Sequence, residues 1–153
     1  MVELGMEEER ARVAKDAAKA QQRAVIVSQL NMTRASLTTL SIKKIELEEK
    51  IQKITTALTN IEAAKSDFDT GKTSLDGVTI EAGSWKGQNA TKANTELGQM
   101  KTSVQSLGTK IGDAIDTIQD DKTRLERDLE RLEAEIAAKN GQVTSLIAQL
   151  NSL

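Results

Sequence analysis

Two stretches of this chain place apolar residues at alternating steps of three and four, and no proline interrupts either one. The first runs Ile26, Leu30, Thr33, Leu37, Leu40, Lys44, Leu47, Ile51, Ile54, Leu58, Ile61, Lys65 and Phe68. The second runs Leu97, Met100, Val104, Leu107, Ile111, Ile115, Ile118, Lys122, Leu125, Leu129, Leu132, Ile136, Lys139, Val143, Leu146, Leu150 and Leu153. A mean step of 3.5 keeps one stripe of a helix facing one partner along a left-handed supercoil. Charged residues such as Lys43, Glu46, Glu49 and Lys50 fill the positions between, as a solvated face requires. In the second stretch, two successive steps of four, Leu107 to Ile111 to Ile115, predict a local unwinding of the supercoil.

The segment between the stripes has another character. Gly71, Gly77, Gly83 and Gly87 are mixed with Thr, Ser and Asp. Glycine is costly within a helix and cheap in a turn, so the chain is expected to reverse here. The predicted fold is all-α, a long antiparallel helical hairpin forming a single domain over 1–153. Arm one covers about 6–70, a glycine-rich turn about 71–87, and arm two about 88–153. Each arm of roughly 50 residues or more would extend about 75 Å at 1.5 Å per residue. Leu75, Val78 and Ile80 are expected to tuck against the helix ends. Residues 1–20, Ala-rich with an acidic start, either extend the first arm or fray.

Composition agrees with a thin seam. One Trp, one Phe and no Tyr stand among 153 residues, too few for the aromatic core of a globule of this length. No His or Cys is present, which removes most nucleophile–base pairs and most transition-metal sites. Carboxylate pairs such as Asp120–Asp121 and Glu133–Glu135 lie on a helix surface, with no desolvated cleft to separate their pKa values. The expectation is a non-enzymatic protein with no cofactor, no metal and no small-molecule substrate. A net charge of −2 and the lack of a basic stripe argue against a nucleic-acid partner. No apolar run approaches the ~20 residues of a membrane span, and Met1 to Lys19 lacks the apolar core of a cleavable signal peptide. A cytoplasmic location follows as the expectation, with co-secretion alongside a partner left open.

Three short motifs carry no weight. Gly71-Lys72-Thr73 ends like a phosphate-binding loop, but Ser66 stands where the first glycine belongs and a helix precedes it. The triplets at Asn31 and Asn89 match the glycosylation acceptor and are short enough to arise by chance. Lys44, Lys65, Lys122 and Lys139 interrupt the seam; the favoured account lays their stems along the stripe with the ammonium groups in water, and the rival account has them fix register and partner choice.

Trp85 stands apart, in Gly83-Ser84-Trp85-Lys86-Gly87, away from the heptad stripes. It either closes the open end of the hairpin, burying up to ~200 Å², or anchors a partner, or does both. Val25, Val27, Ile42 and Ile45 fall off the first seam and suit a further helix from another chain, building a bundle. The candidate partner-binding set is therefore Trp85, Ile42, Ile45, Val25 and Val27.

A helix, a Trp-x-Gly turn and a second helix resemble the WXG superfamily of small proteins handled by type VII secretion systems. Within it, Gly-Ser-Trp-Lys-Gly-Gln-Asn-Ala at positions 83 to 90 and the long arms look most like the YwqH-like proteins, helical proteins encoded beside LXG-type toxins of Gram-positive bacteria. The resemblance marks Trp85 and Gly87 as the turn signature. It implies an adaptor or chaperone that binds the N-terminal helical region of such a toxin, alongside a second small helical protein, and helps present it for export. Related export signals use an aromatic followed four residues later by an acid near the C-terminus. No aromatic follows Trp85 here, so a partner is expected to supply the signal. The alternative is a self-assembling structural coiled coil unrelated to secretion, and the sequence leaves a homo-oligomer open.

Overall fold

A computed structural model describes residues 2–81 and 87–153. It contains two helices, α1 (Val2–Asp76) and α2 (Gln88–Asn151), and no strand among the described residues. They group into two compact units: one of residues 1–48 with 127–153, the other of residues 49–126. In each unit α1 and α2 lie side by side. In the first, Lys44 faces Glu133. In the second, Phe68 faces Gly108.

Helix α1 starts at Val2, so residues 2–20 extend the first arm, with every side chain exposed. At its other end α1 runs through Gly71 and stops at Asp76, beyond the expected end near residue 70. The overrun has local causes. Lys65 pairs with Asp69 at 2.7 Å and Lys72 with Asp76 at 3.4 Å, both four residues apart on one helix face. The hydroxyls of Thr70, Thr73 and Ser74 donate to the carbonyls of Ser66, Asp69 and Thr70, back-bonds that the helix accommodates and that do not themselves extend it. One glycine costs only about 1 kcal/mol in a helix, which neighbouring turns can carry.

The end of α1 is closed by backbone bonds and by one side chain from α2. The Gly77 N–H donates to Thr73 O at 3.2 Å, and the Val78 N–H to Leu75 O at 3.0 Å. Lys101 Nζ donates to Asp76 O at 3.2 Å and to Val78 O at 2.8 Å. A cation on the last carbonyls of a helix also meets the negative end of its dipole. Leu75 and Ile80 are partly buried as expected, whereas Val78 is exposed. Gly87 opens α2 with φ +79°, a left-handed conformation that glycine adopts without steric cost, and its carbonyl accepts from the Thr91 N–H at 3.3 Å.

Every residue of the first stripe, from Ile26 to Phe68, is buried or partly buried, and Lys72 and Leu75 continue it in phase. Leu30, Leu40 and Leu58 are buried outright, with Leu146 from α2. Thr33 is buried too, and its hydroxyl donates to Gln29 O at 2.8 Å, so the polar atom costs nothing unpaired. In α2 the stripe from Ile111 to Leu153 lies as expected, including Ile118, Leu125, Leu129, Leu132 and Ile136.

One stretch of the α2 stripe differs. Leu107 and Met100 are 50% and 55% exposed, and the seam positions belong to Gly108 and Lys101. A Cβ on Gly108 would come within 3.2 Å of Phe68 Cε1: the absent side chain is what seats the ring. With Leu97, Lys101, Val104, Gly108 and Ile111 as the stripe, the steps of four and three continue to Leu153 without the stutter placed at Leu107. Leu107 is thereby removed from the seam.

Candidate protein-binding surface

Packing of one stripe from each helix leaves the rest of both helices to solvent. Val25, Val27, Ile42 and Ile45, expected to lie off the seam, are 52%, 39%, 54% and 56% exposed. Exposed single aliphatics are ordinary on a surface, so their arrangement decides what they can do. At about 100° per residue, Val27 and Ile45 share one flank of α1, with Ile42 further toward its back. Val25 lies ~160° from Val27, on the opposite flank, with Met32 one heptad later. The four residues therefore form two separate edges rather than one patch. Met32, 65% exposed, joins the Val25 edge and was not singled out by sequence, because a lone methionine off the stripe carries no periodic signal.

On the Val25 edge the surface is grooved. Ala18, Gln22, Val25 and Ile26 of α1 line an open cleft with Gln149 and Leu153 of α2. Met32, Ala35, Thr39 and Lys43 line a second with Glu135 and Lys139. Both are shallow troughs between helices, the shape that accepts another helix rather than a small molecule.

Three of the four seam lysines reach acids on their own helix, a geometry that the stem-on-stripe account allows. Lys44 reaches Glu48 at 3.7 Å, Lys65 reaches Asp69 at 2.7 Å and Lys122 reaches Glu126 at 3.7 Å, each four residues on along its own helix. Such half-exposed pairs contribute a few tenths of a kcal/mol. Lys44 also reaches Glu133 on α2 at 3.5 Å, which gives the register account one bridge across the seam.

Of the turn signature, Gly87 is present at the start of α2 with its positive φ. Trp85, named both as turn residue and as partner anchor, lies outside the described residues. Among the described residues, no helix is long and apolar enough to cross a membrane.

No curated protein and no solved structure matches the chain. A family model does, and it covers residues 28–148, which takes in most of the paired part of both helices, the connection between them, and Met32, Ile42 and Ile45. The chain belongs to the YwqH-like family.

Proposed function

We infer that this chain is a non-enzymatic adaptor, a chaperone of helices, that binds the N-terminal helical region of an LXG-type toxin for type VII secretion. Membership of the YwqH-like family over residues 28–148 supports the class of protein. The observation that carries the mechanism is the pair of aliphatic edges left on α1, Val27 with Ile45 on one flank and Val25 with Met32 on the other. Two edges accept two helices, one on each side, so that a bundle forms around the existing seam. That geometry suits a toxin helix on one flank and a second small helical protein on the other. Each aliphatic side chain fully covered contributes roughly 1.5–3 kcal/mol before the cost of association. In this reading the adaptor meets its partner in the cytoplasm, before export.

Co-expression with the N-terminal helical region of an LXG toxin encoded beside this chain tests the inference. A stable heteromeric complex is expected, weakened at least tenfold by Val27→Asp with Ile45→Asp while the melting temperature of the free chain stays unchanged. Absence of any complex, or a filament of this chain that ignores the toxin, would instead favour a structural scaffold.

A further inference from the structure

Three methionines stand among the described residues, and all are open to solvent: Met6 at 51%, Met32 at 65% and Met100 at 55% exposed. None holds a seam position, where leucine, isoleucine and valine do the packing. Methionine is ordinarily a filler of irregular core gaps, so its confinement to the surface sets this chain apart. No cysteine is present, which leaves the methionine thioethers as the only sulfur in the chain. Met32 differs from the other two in its surroundings. It lies one heptad after Val25 on the same flank of α1, and it lines a trough with Lys43, Glu135 and Lys139. A thioether is a weak acceptor and completes the aliphatic edge, whereas the two lysines beside it are donors only.

We propose that Met32 is a site of reversible oxidation, through which peroxide-class oxidants release the helix held on the Val25 flank while the hairpin stays folded. In the reaction a sulfur lone pair takes an oxygen atom from the peroxide. The O–O bond breaks, an S–O bond forms, and water leaves; the sulfur is oxidised and the peroxide reduced. The side chain becomes polar, and a partner helix must then desolvate the new oxygen or stand off from it. Without a partner that oxygen stays in water, in a trough where Lys43 and Lys139 can donate to it. Oxidation therefore favours the bare flank over the covered one. The seam has no sulfur to lose, so the same oxidant leaves α1 and α2 paired. A reductase drawing on a thiol pair, itself oxidised to a disulfide, removes the oxygen as water and restores the apolar edge.

This inference rests on the adaptor reading, since it needs a helix on that flank. The chain is first co-expressed with the toxin's N-terminal helical region and the second small helical protein, and Val25→Asp shows which of the two the flank holds. The chain alone is then treated with dilute hydrogen peroxide, freed of it, and mixed with both partners. Peptide mass spectrometry should find an added oxygen atom on Met32 sooner than on Met6 or Met100. Affinity for the flank's helix should fall about tenfold or more, with the other helix still bound. Treatment with methionine sulfoxide reductase should restore it. Met32→Leu, which keeps the edge apolar, should bind equally well before and after peroxide, and the melting temperature of the oxidised chain should be unchanged. The proposal is overturned if the oxidised chain retains the helix that Val25→Asp releases. Equal loss of binding in Met32→Leu, or a lower melting temperature on oxidation, would overturn it as well. No complex before oxidation, or one that Val25→Asp leaves whole, defeats the adaptor's use of this flank and this inference with it.

Discussion

Replacing Gly108 by alanine should stabilise the protein less than the same replacement at any of three other helical glycines. Within a helix, Gly to Ala is worth about 1 kcal/mol, because alanine loses less backbone freedom on folding. At Gly98, Gly112 and Gly141 a new Cβ would meet nothing within 4 Å, so the full gain should appear. At Gly108 it would sit 3.2 Å from Phe68 Cε1 and 3.9 Å from Cζ. Carbon contacts settle near 3.5–4.0 Å, and a ring displaced by half an ångström forfeits a quarter or more of its contact energy on that side. Phe68 is partly exposed and can tilt, so the penalty stays below the propensity gain. The expected net effect is about 0.3–0.5 kcal/mol, against about 1 kcal/mol at the three control sites. For a chain of this length that separates a Tm rise of about 1 °C from one of about 2–4 °C. Denaturant titration followed by circular dichroism resolves the two. In a Phe68→Ala background, Gly108→Ala should recover the full gain, as a double-mutant cycle demands of residues in contact. Equal stabilisation at all four glycines, with no change in the Phe68→Ala background, would refute the ring-on-glycine packing.

Leu58→Ala, at a buried seam position, should cost about 2–3 kcal/mol, toward the low end for leucine because a thin seam relaxes readily, whereas Ile42→Ala should change stability by less than about 0.5 kcal/mol. Comparing their denaturation midpoints checks this. Lys101→Met keeps the stem and removes the donor to Asp76 O and Val78 O; a loss of about 0.5–1 kcal/mol is expected, with faster amide exchange near the end of α1. The Lys44–Glu133 contact should show a coupling of no more than about 0.5 kcal/mol in a double-alanine cycle, vanishing at high salt. A Gly87→Ala substitution must place a Cβ at φ +79° and should lower stability by about 1 kcal/mol, measurable as a Tm decrease.

The part of the fold legible in the sequence is the part written in aliphatic side chains. Leu30, Leu40, Leu58 and Leu146 announce their burial by period alone. The seam departs from that period where it is made of something else. Gly108 contributes space and Lys101 contributes hydrogen bonds, and neither registers on a hydrophobic stripe, so exposed Leu107 and Met100 took their places. The end of α1 lies past the point its sequence suggests for a related reason: Gly71 looks like a terminus in isolation, and the ion pairs on both sides of it help carry the helix to Asp76. For the binding surface, period showed which residues of α1 have no place in the seam. It did not show that Val25 and Val27, two positions apart, look in nearly opposite directions.

The phase shared by the two stripes carries a cost in uniqueness. Because the repeat is regular within each unit, sliding one helix past the other by seven residues lays most aliphatic seam residues on aliphatic seam residues again. Aliphatic packing by itself hardly distinguishes such neighbours. The choice among them falls to the few places where the two helices are not interchangeable: a ring that needs a vacancy at Gly108, an ammonium that needs the carbonyls of Asp76 and Val78, and a carboxylate at Glu133 within reach of Lys44. Removing all three would leave a chain free to settle in more than one alignment while losing little of its helix.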